Sequence, residues 1–187
     1  MTASKTGPAR TSEYTEDQPS FEEAFLKHWA SIYRLLVRLV GDPAEAEDLA
    51  LETFFRLYQR PPQMGDSLNL GGWLWRVATN LGLHSIRSDR RRGQYELSAG
   101  KDALDEAFNL RPDEIASAAE EKRLARRALA QMQDRPARLL ILRYSGMAYK
   151  DIAAELGLSA SSIGPLLLRA EREFERRYRI LSGGNGE

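Results

Sequence analysis

The stretch 148–170 places the tightest constraint on what this chain can fold into. Ile152, Ala153 and Leu156 recur at the three- and four-residue spacing of one helical face, which predicts a short helix. Gly157 follows at a position where helices commonly end in a left-handed residue, a conformation that glycine adopts at little cost. We therefore predict a helix that ends at a glycine corner, with a second helix after it.

A small residue, a glycine and a branched apolar residue together complete the pattern of a helix-turn-helix. Ala153 lets the two helices approach closely, Gly157 makes the turn, and Ile163 holds the second helix on the first. In proteins with this motif the second helix lies in the major groove of DNA. The pattern favours DNA binding over the alternative, an ordinary helical hairpin with a glycine corner.

A proline lies close to the start of the second helix. Proline is tolerated in the first turn of a helix but costs about 3 kcal/mol further inside, where a hydrogen bond is lost. We therefore predict that Ser161 or Ser162, and not Ser159, is the N-cap. Pro165 would then lie in or beside the first turn.

Composition excludes several classes of protein. The chain has 187 residues, which suits one domain or two small ones, and no Cys, which excludes disulfides and thiolate metal sites. No apolar run approaches the roughly 20 residues of a membrane span, and no secretory signal is visible, so we expect a cytoplasmic protein. His28 and His84 lack catalytic or metal-binding partners, and no phosphate-binding glycine loop is present. We predict no enzymatic activity, no metal and no cofactor.

Charge is balanced over the whole chain but uneven along it. Lys plus Arg and Asp plus Glu both number 27, so the net charge is zero. Indiscriminate nucleic-acid binding requires excess cations to displace counterions, and the balance argues against it. A basic cluster at 87–92 and acidic segments at 44–52 and 102–106 predict one basic and one acidic contact surface.

Helical periodicity and helix-terminal signals predict an all-α chain of two small helical domains joined by a flexible linker. The predicted helices span 21–40, 42–59, 70–90, 113–132, 137–144, 148–156 and a last helix that ends near 180. The predicted divisions are a disordered tail (1–20), a first domain (21–92), an acidic linker (93–111), a second domain (112–181) and a flexible tail (182–187). Because the linker lacks an apolar period, we expect the domains to pack together only when a partner sequesters them.

Two helices of the first domain carry residues beyond what a core requires. Glu45, Asp48 and Glu52 crowd the first half of the second helix, which indicates either stabilisation by the helix dipole or a basic protein partner. Trp75 and Asn80 lie off the apolar stripe of the third helix. Aromatic, Arg and amide side chains together are typical of single-strand binding, and the alternative is a partly buried Trp with solvated neighbours.

Three segments, in their order along the chain, resemble the extracytoplasmic-function sigma factors, the small two-domain initiation subunits of bacterial RNA polymerase. The segments are GDPAEAEDLALETFFRLY (41–58), GGWLWRVATNLGLHSIRSDRRR (71–92) and ARLLILRYSGMAYKDIAAELGLSASSI (137–163). The resemblance extends over about 21–92 and 112–178. It implies core polymerase and promoter DNA as partners, an anti-sigma factor as a further partner, and no catalysis by the chain itself.

The resemblance also assigns roles to individual residues. The residues that would contact the clamp helices of the largest polymerase subunit are Glu45, Asp48, Glu52 and Phe55. Those that would open and bind the minus-ten element are Asn69, Trp75, Arg76, Asn80, Arg87, Arg90 and Arg91. Those that would read the minus-thirty-five element, on a domain that also contacts the polymerase flap, are Lys150, Ser159, Ser161, Ser162, Arg169 and Arg172.

The chain departs from the family pattern at two places. Leu51 stands where the family usually has Gln, and 164–166 reads Gly-Pro-Leu where the recognition helix usually carries basic and small polar residues. The second departure predicts weaker or more shape-based reading of DNA, or else a protein-binding role for Leu166 and Leu168. Two other functions therefore stay open: a stand-alone helix-turn-helix regulator, and a sigma-like decoy that holds polymerase or an anti-sigma factor.

Overall fold

The computed structural model describes residues 20–62, 69–92 and 112–183. These ranges contain helices and no strand, as the all-α prediction requires. The helices are α1 (Phe21–Val40), α2 (Pro43–Gln59), α3 (Leu70–Arg92), α4 (Pro112–Gln131), α5 (Asp134–Tyr144), α6 (Tyr149–Leu156) and α7 (Ala160–Leu181). We call α1–α3 the first unit and α4–α7 the second unit. The predicted linker and both predicted tails lie outside the described residues, apart from the positions next to α1 and α7.

Local signals explain where the first two helices begin and end. Ser20 caps α1 through a reciprocal capping box with Glu23. Gly41 ends α1 with φ of 83°, in the left-handed region that glycine favours. Asp42 then accepts hydrogen bonds at the start of α2, and Pro43 occupies the first helical position, where its missing N–H has no cost. Both helices match the prediction from sequence.

The core of the first unit is built from apolar side chains of all three helices. Ile32, Leu36, Phe54 and Leu74 are fully buried, at 2% exposure or less. The half-buried rings of α1 pack on this core, among them Phe25, whose ring centroid lies 4.9 Å from that of Phe54. Burial of these large side chains supplies the main stabilising free energy of the unit.

The boundary between α4 and α5 differs from the prediction. Asp134–Pro136 was expected to separate two helices, but it forms the first turn of α5. Proline is compatible with that turn, because the first backbone N–H groups of a helix have no intrahelical partner. The break itself lies at Met132 and Gln133.

The helix-turn-helix is present as predicted, except for its second cap. Ile152 and Ala153 on α6 and Ile163 on α7 are buried, and Gly157 has φ of 63° between the two helices. The N-cap of α7 is Ser159, so the prediction of Ser161 or Ser162 was wrong. Pro165 consequently lies beyond the first turn, inside α7, where it withholds one backbone hydrogen bond.

The two units pack against each other in the single chain, contrary to the expectation that they do so only when sequestered. Most of their buried apolar residues belong to one continuous cluster. On α3, the Nε atom of Arg76 lies 3.3 Å from Oε2 of Glu155 on α6. Gly72, one turn earlier, is so close to Glu155 that a Cβ atom would lie 2.7 Å from Oε1. Among the described residues, the faces of α3 and α6 supply these contacts.

The Glu155 carboxyl is buried at this contact. Its side chain is 7% exposed, and Oε2 accepts no hydrogen bond from the residues that the structure describes. Burial raises the pKa of Glu155 above its ordinary value of 4.5, and the charge of Arg76 offsets part of that rise. The contact between the units therefore contains a carboxylate that is incompletely compensated.

Within the described ranges no single helix is long and apolar enough to cross a membrane. Only α6 and α7 taken together reach that threshold, and they meet at a bend of 90°.

Two glycines give opposite predictions for stability. Gly41 has a positive φ and faces the Arg126 guanidinium, whereas Gly164 lies inside α7 with open space where a Cβ would project. We expect Gly41→Ala to lower the free energy of unfolding by about 1–2 kcal/mol, because a left-handed conformation is costly for Ala. Gly164→Ala should raise it by about 0.5–1 kcal/mol through helix propensity. Urea unfolding measures both free energies. Changes of the same sign in the two variants would contradict the left-handed conformation of Gly41 or the helical position of Gly164.

The pH dependence of stability gives a second prediction. Because the folded-state pKa of Glu155 is raised, its contribution favours the folded state most at low pH and declines as pH rises from 4.5 through the raised pKa. As pH rises from 4.5 through the raised pKa, the Glu155→Gln variant should therefore become more stable relative to the parent chain, as measured by the free energy of unfolding. Glu175→Gln, at an exposed position of α7, controls for loss of one negative charge. A difference that shrinks as pH rises would contradict the burial of Glu155.

Candidate polymerase and promoter interfaces

The outward face of α2 carries apolar and acidic side chains together. Leu51, Phe55 and Tyr58 are 48%, 51% and 61% exposed, and they follow one another at helical spacing. Asp48 is exposed beside them, and Glu52 forms an ion pair of 2.8 Å with Arg56 one turn on. An apolar centre with charged residues at its edge is the usual composition of a protein-binding surface.

Glu45 differs from the other residues predicted to contact polymerase. It is half-buried, and its carboxylate accepts a hydrogen bond from the Ser85 hydroxyl of α3. Leu51 and Tyr58 were not among the predicted contacts, although both lie on the same face as Phe55. The helical period of 3.6 residues contained this signal, since positions 51, 55 and 58 form one stripe. The α2 surface is hereafter Asp48, Leu51, Glu52, Phe55 and Tyr58.

Helix α3 brings together only some of the residues predicted to bind the minus-ten element. Arg76, Asn80 and Arg87 lie at helical spacing along the side that turns toward the second unit. Asn80 is exposed, whereas both Arg side chains contact the second unit. Asn69 is exposed just before α3, where its carbonyl accepts the first hydrogen bond of the helix from Trp73 N–H at 3.0 Å.

Trp75 matches the alternative interpretation of the sequence, a partly buried Trp. It is half-buried and packs against the hydrophobic core, so its ring is not a fully exposed stacking platform. Arg90 and Arg91 belong to the last turns of α3, and their side chains lie outside what the structure describes. The Trp75 and basic-cluster assignments therefore stay predictions.

Arg87 is held by two groups of the second unit. Its guanidinium forms an ion pair with Asp134 of α5 and donates a hydrogen bond of 2.8 Å to the carbonyl of Met132. The carbonyl lies at the break between α4 and α5, where helix ends leave acceptors unsatisfied. Sequence reasoning had no means to find either partner, because 45 or more residues separate them from Arg87.

A cavity of about 700 Å³ lies between α3, α4 and α5. The residues that line it are Asn80, Leu83, His84, Arg87, Ala130, Asp134 and Arg138. Two of the predicted minus-ten residues, Asn80 and Arg87, therefore line a space that the second unit borders. No group of three metal-ligating side chains is present in the described part of the chain.

The exposed side of α7 contains most of the residues predicted to read the upstream element. Ser161, Arg169 and Arg172 are exposed, as is Lys150 on α6. Ser159 is exposed too, and its hydroxyl lies 3.2 Å from that of Ser161 and 2.5 Å from that of half-buried Ser162. The Ser159 hydroxyl therefore lies within hydrogen-bond distance of both other hydroxyls at the start of the recognition helix.

Known proteins support the division of the chain into these two units. A family model described as Sigma-70 region 2 matches residues 23–92, and one described as Sigma-70, region 4 matches residues 122–174. The first match ends with α3 and the second lies within the span of α4–α7. The first unit therefore corresponds to region 2 of this family, and the second unit corresponds to region 4.

Curated relatives extend the match over most of the chain. The ECF RNA polymerase sigma factor SigE of Mycolicibacterium smegmatis is 30% identical over 83% of this chain, which spans 60% of that relative. The ECF RNA polymerase sigma factor SigL of Mycobacterium tuberculosis is 34% identical over 78% of this chain, and 81% of SigL is covered. The chain thus spans most of one relative and three-fifths of the other.

A solved structure shares the fold. The structure of CnrH in complex with the cytosolic domain of CnrY aligns with a TM-score of 0.52 at 16% identity, over 88% of this chain and 89% of that one. At that identity the likeness concerns the fold alone. Together, the two region matches and the SigL relative show that this chain belongs to the ECF sigma factors of the sigma-70 family.

Proposed function

We propose that this chain binds bacterial core RNA polymerase and directs promoter recognition, strand opening and transcription initiation. The observation that carries the proposal is the occurrence of region 2 and region 4 on one chain, each with an exposed surface of suitable chemistry. The chain would supply binding surfaces while the polymerase supplies the chemistry. Its site of action would be the cytoplasm, where the polymerase acts.

The α2 surface is the proposed contact with the clamp helices of polymerase. Leu51, Phe55 and Tyr58 expose large apolar areas, which is costly in water unless a partner covers them. Asp48 and Glu52 would steer this surface toward a basic partner and fix its register. Leu51 would supply apolar contact where the family usually has a Gln side chain.

Residues of α3 are the proposed contacts with the minus-ten element, with Asn69 before the helix. Asn80 is already exposed and could present its amide to a base edge. Arg76 and Arg87 must first separate from Glu155 and Asp134, because one guanidinium cannot hold a carboxylate and a phosphate in the same geometry. We propose that polymerase binding separates the units and thereby exposes α3.

The alternatives from sequence are less well supported. A stand-alone regulator would bind duplex DNA without polymerase, and the zero net charge of the chain opposes that. A decoy would retain the α2 surface but open no promoter. An anti-sigma factor stays a proposed partner, and the exposed apolar residues of α2 and α7 are where it would compete with polymerase and DNA.

Run-off transcription with core polymerase and a genomic promoter library tests the function. We expect discrete new start sites when the chain is added, and a loss of at least tenfold in transcript for Asp48→Ala/Glu52→Ala. Glu121→Ala/Glu175→Ala, which removes two exposed acids of the second unit, should retain activity. Binding to polymerase without new start sites would favour the decoy, and binding to duplex DNA alone would favour the regulator.

Removal of the ion pair between Arg87 and Asp134 should increase DNA binding by the free chain. Asp134→Asn removes the carboxylate of the second unit and leaves every proposed DNA contact intact. We expect about two- to fivefold tighter binding to a single-stranded minus-ten oligonucleotide, since a partly exposed ion pair contributes about 0.3–1 kcal/mol. Fluorescence anisotropy measures the affinity.

Adding Arg87→Ala to Asp134→Asn is the control, and it should remove the gain. An unchanged affinity in folded Asp134→Asn would show that this contact between the units does not limit DNA binding.

A further inference from the structure

The exposed side of α7 has an apolar centre. Ser161, Pro165, Leu168 and Arg172 follow one another at steps of four, three and four residues, so they lie on one face. Pro165 is exposed and Leu168 is 50% exposed. By contrast, Leu167 beside them is 6% exposed and belongs to the core. The apolar pair is therefore separate from the residues that fold the unit.

We propose that Pro165 and Leu168 contact thymine methyl groups in the major groove of the upstream promoter element. The inference rests on the proposed function, in which α7 is the recognition helix. In that groove the C5-methyl of thymine is the apolar group that a base pair presents, while the other groups are hydrogen-bond donors and acceptors. An apolar pair at the centre of the face matches this methyl group and can satisfy none of the polar groups.

The charges around the pair indicate DNA as the occupant. Arg169, Arg172 and Arg176 lie along the same exposed side, and none of the three has an ion pair within the described residues. Three uncompensated guanidinium groups are suited to the phosphates that flank a major groove. An apolar protein partner seated on this face would have to desolvate those charges without compensation.

The position of Pro165 supports a role outside folding. Inside α7 it withholds a backbone hydrogen bond, and as an exposed side chain it recovers little by packing. Gly164 beside it leaves open space, with no heavy atom within 4 Å of a Cβ position. Because Gly164 has no side chain, the helix backbone can approach the floor of the groove at this point. The ring of Pro165 and the side chain of Leu168 can then reach the bases.

Replacement of thymine by uracil removes only the methyl group and tests the inference directly. Holoenzyme with the full chain is titrated with promoter duplexes, from the run-off experiment, in which each upstream-element thymine is replaced singly by deoxyuridine. We expect about fourfold weaker binding at one or two positions, the loss for one buried methyl-sized group. Uracil in the spacer between the two elements is the control and should have no effect.

Variants of the chain assign the effect to residues. Leu168→Ala should weaken binding to the thymine duplex and reduce the penalty for uracil at one position, because the methyl then has no apolar partner. Leu168→Met should retain the penalty. Arg172→Ala should instead weaken binding to both duplexes equally and lower the slope of affinity against salt by about one unit. Urea unfolding confirms that each variant is folded.

The outcomes separate this inference from the proposed function. Equal binding of thymine and uracil duplexes by active holoenzyme, or an upstream element without thymine on either strand, would overturn the inference and leave the sigma activity in place. Start sites that do not depend on any upstream sequence would contradict the proposed role of the second unit as a whole. Weaker polymerase binding by Leu168→Ala, with the uracil penalty unchanged in the holoenzyme that still forms, would assign the patch to a protein partner instead.

Discussion

Helix α3 packs in the core of the first unit and also contacts the second unit, and the rest of the structure depends on this double contact. One side of it buries Leu74 and Ala78 in the first unit, at 0% exposure. Another side places Arg76 and Arg87 against carboxylates of the second unit. Close approach to the neighbouring helices also requires small residues on α3: a Cβ atom at Gly82 would lie 2.5 Å from Leu39. The helix is therefore a structural centre and a functional surface at once.

This arrangement has an electrostatic consequence. The chain has no net charge, so its affinity for nucleic acid depends on where the charges lie. With the two units packed together, which we call the closed arrangement, Arg76 and Arg87 form ion pairs. Arg169, Arg172 and Arg176 on α7 form none within the described residues. The two Arg side chains of α3 proposed to contact the minus-ten element are therefore engaged, and the surface proposed to read duplex DNA is free. A polymerase that separates the units would bring both into use together.

The energetic cost of the closed arrangement is modest, which suits a state that has to open. Arg76 remains 37% exposed, and Asp134, the partner of Arg87, is 66% exposed. Ion pairs of this kind contribute little net stability because water competes for both charges. Buried Glu155 adds an unfavourable desolvation term that Arg76 only partly offsets. Apolar contacts hold the units together, and the ion pairs decide which α3 residues are covered.

Local patterns in the sequence determined the helices and their corners. The bounds of α1 and α2 and the glycine corner at Gly157 follow from short-range signals, and each was correctly predicted from them. Such signals depend on neighbours within about one helical turn, so they can be read without knowledge of the fold. The motif order that identifies the family was likewise present in the sequence.

The tertiary structure alone decided which surfaces are available. The Ser85 partner of Glu45, the half-burial of Trp75 and the contacts of Arg76 and Arg87 with the second unit join residues that no short-range period relates. The cap of α7 belongs to the same class, because packing of Ile163 on α6 positions the helix and outweighs the local preference of Pro165 for a first turn. Burial is a property of the whole fold, and burial decides which charges a partner can reach.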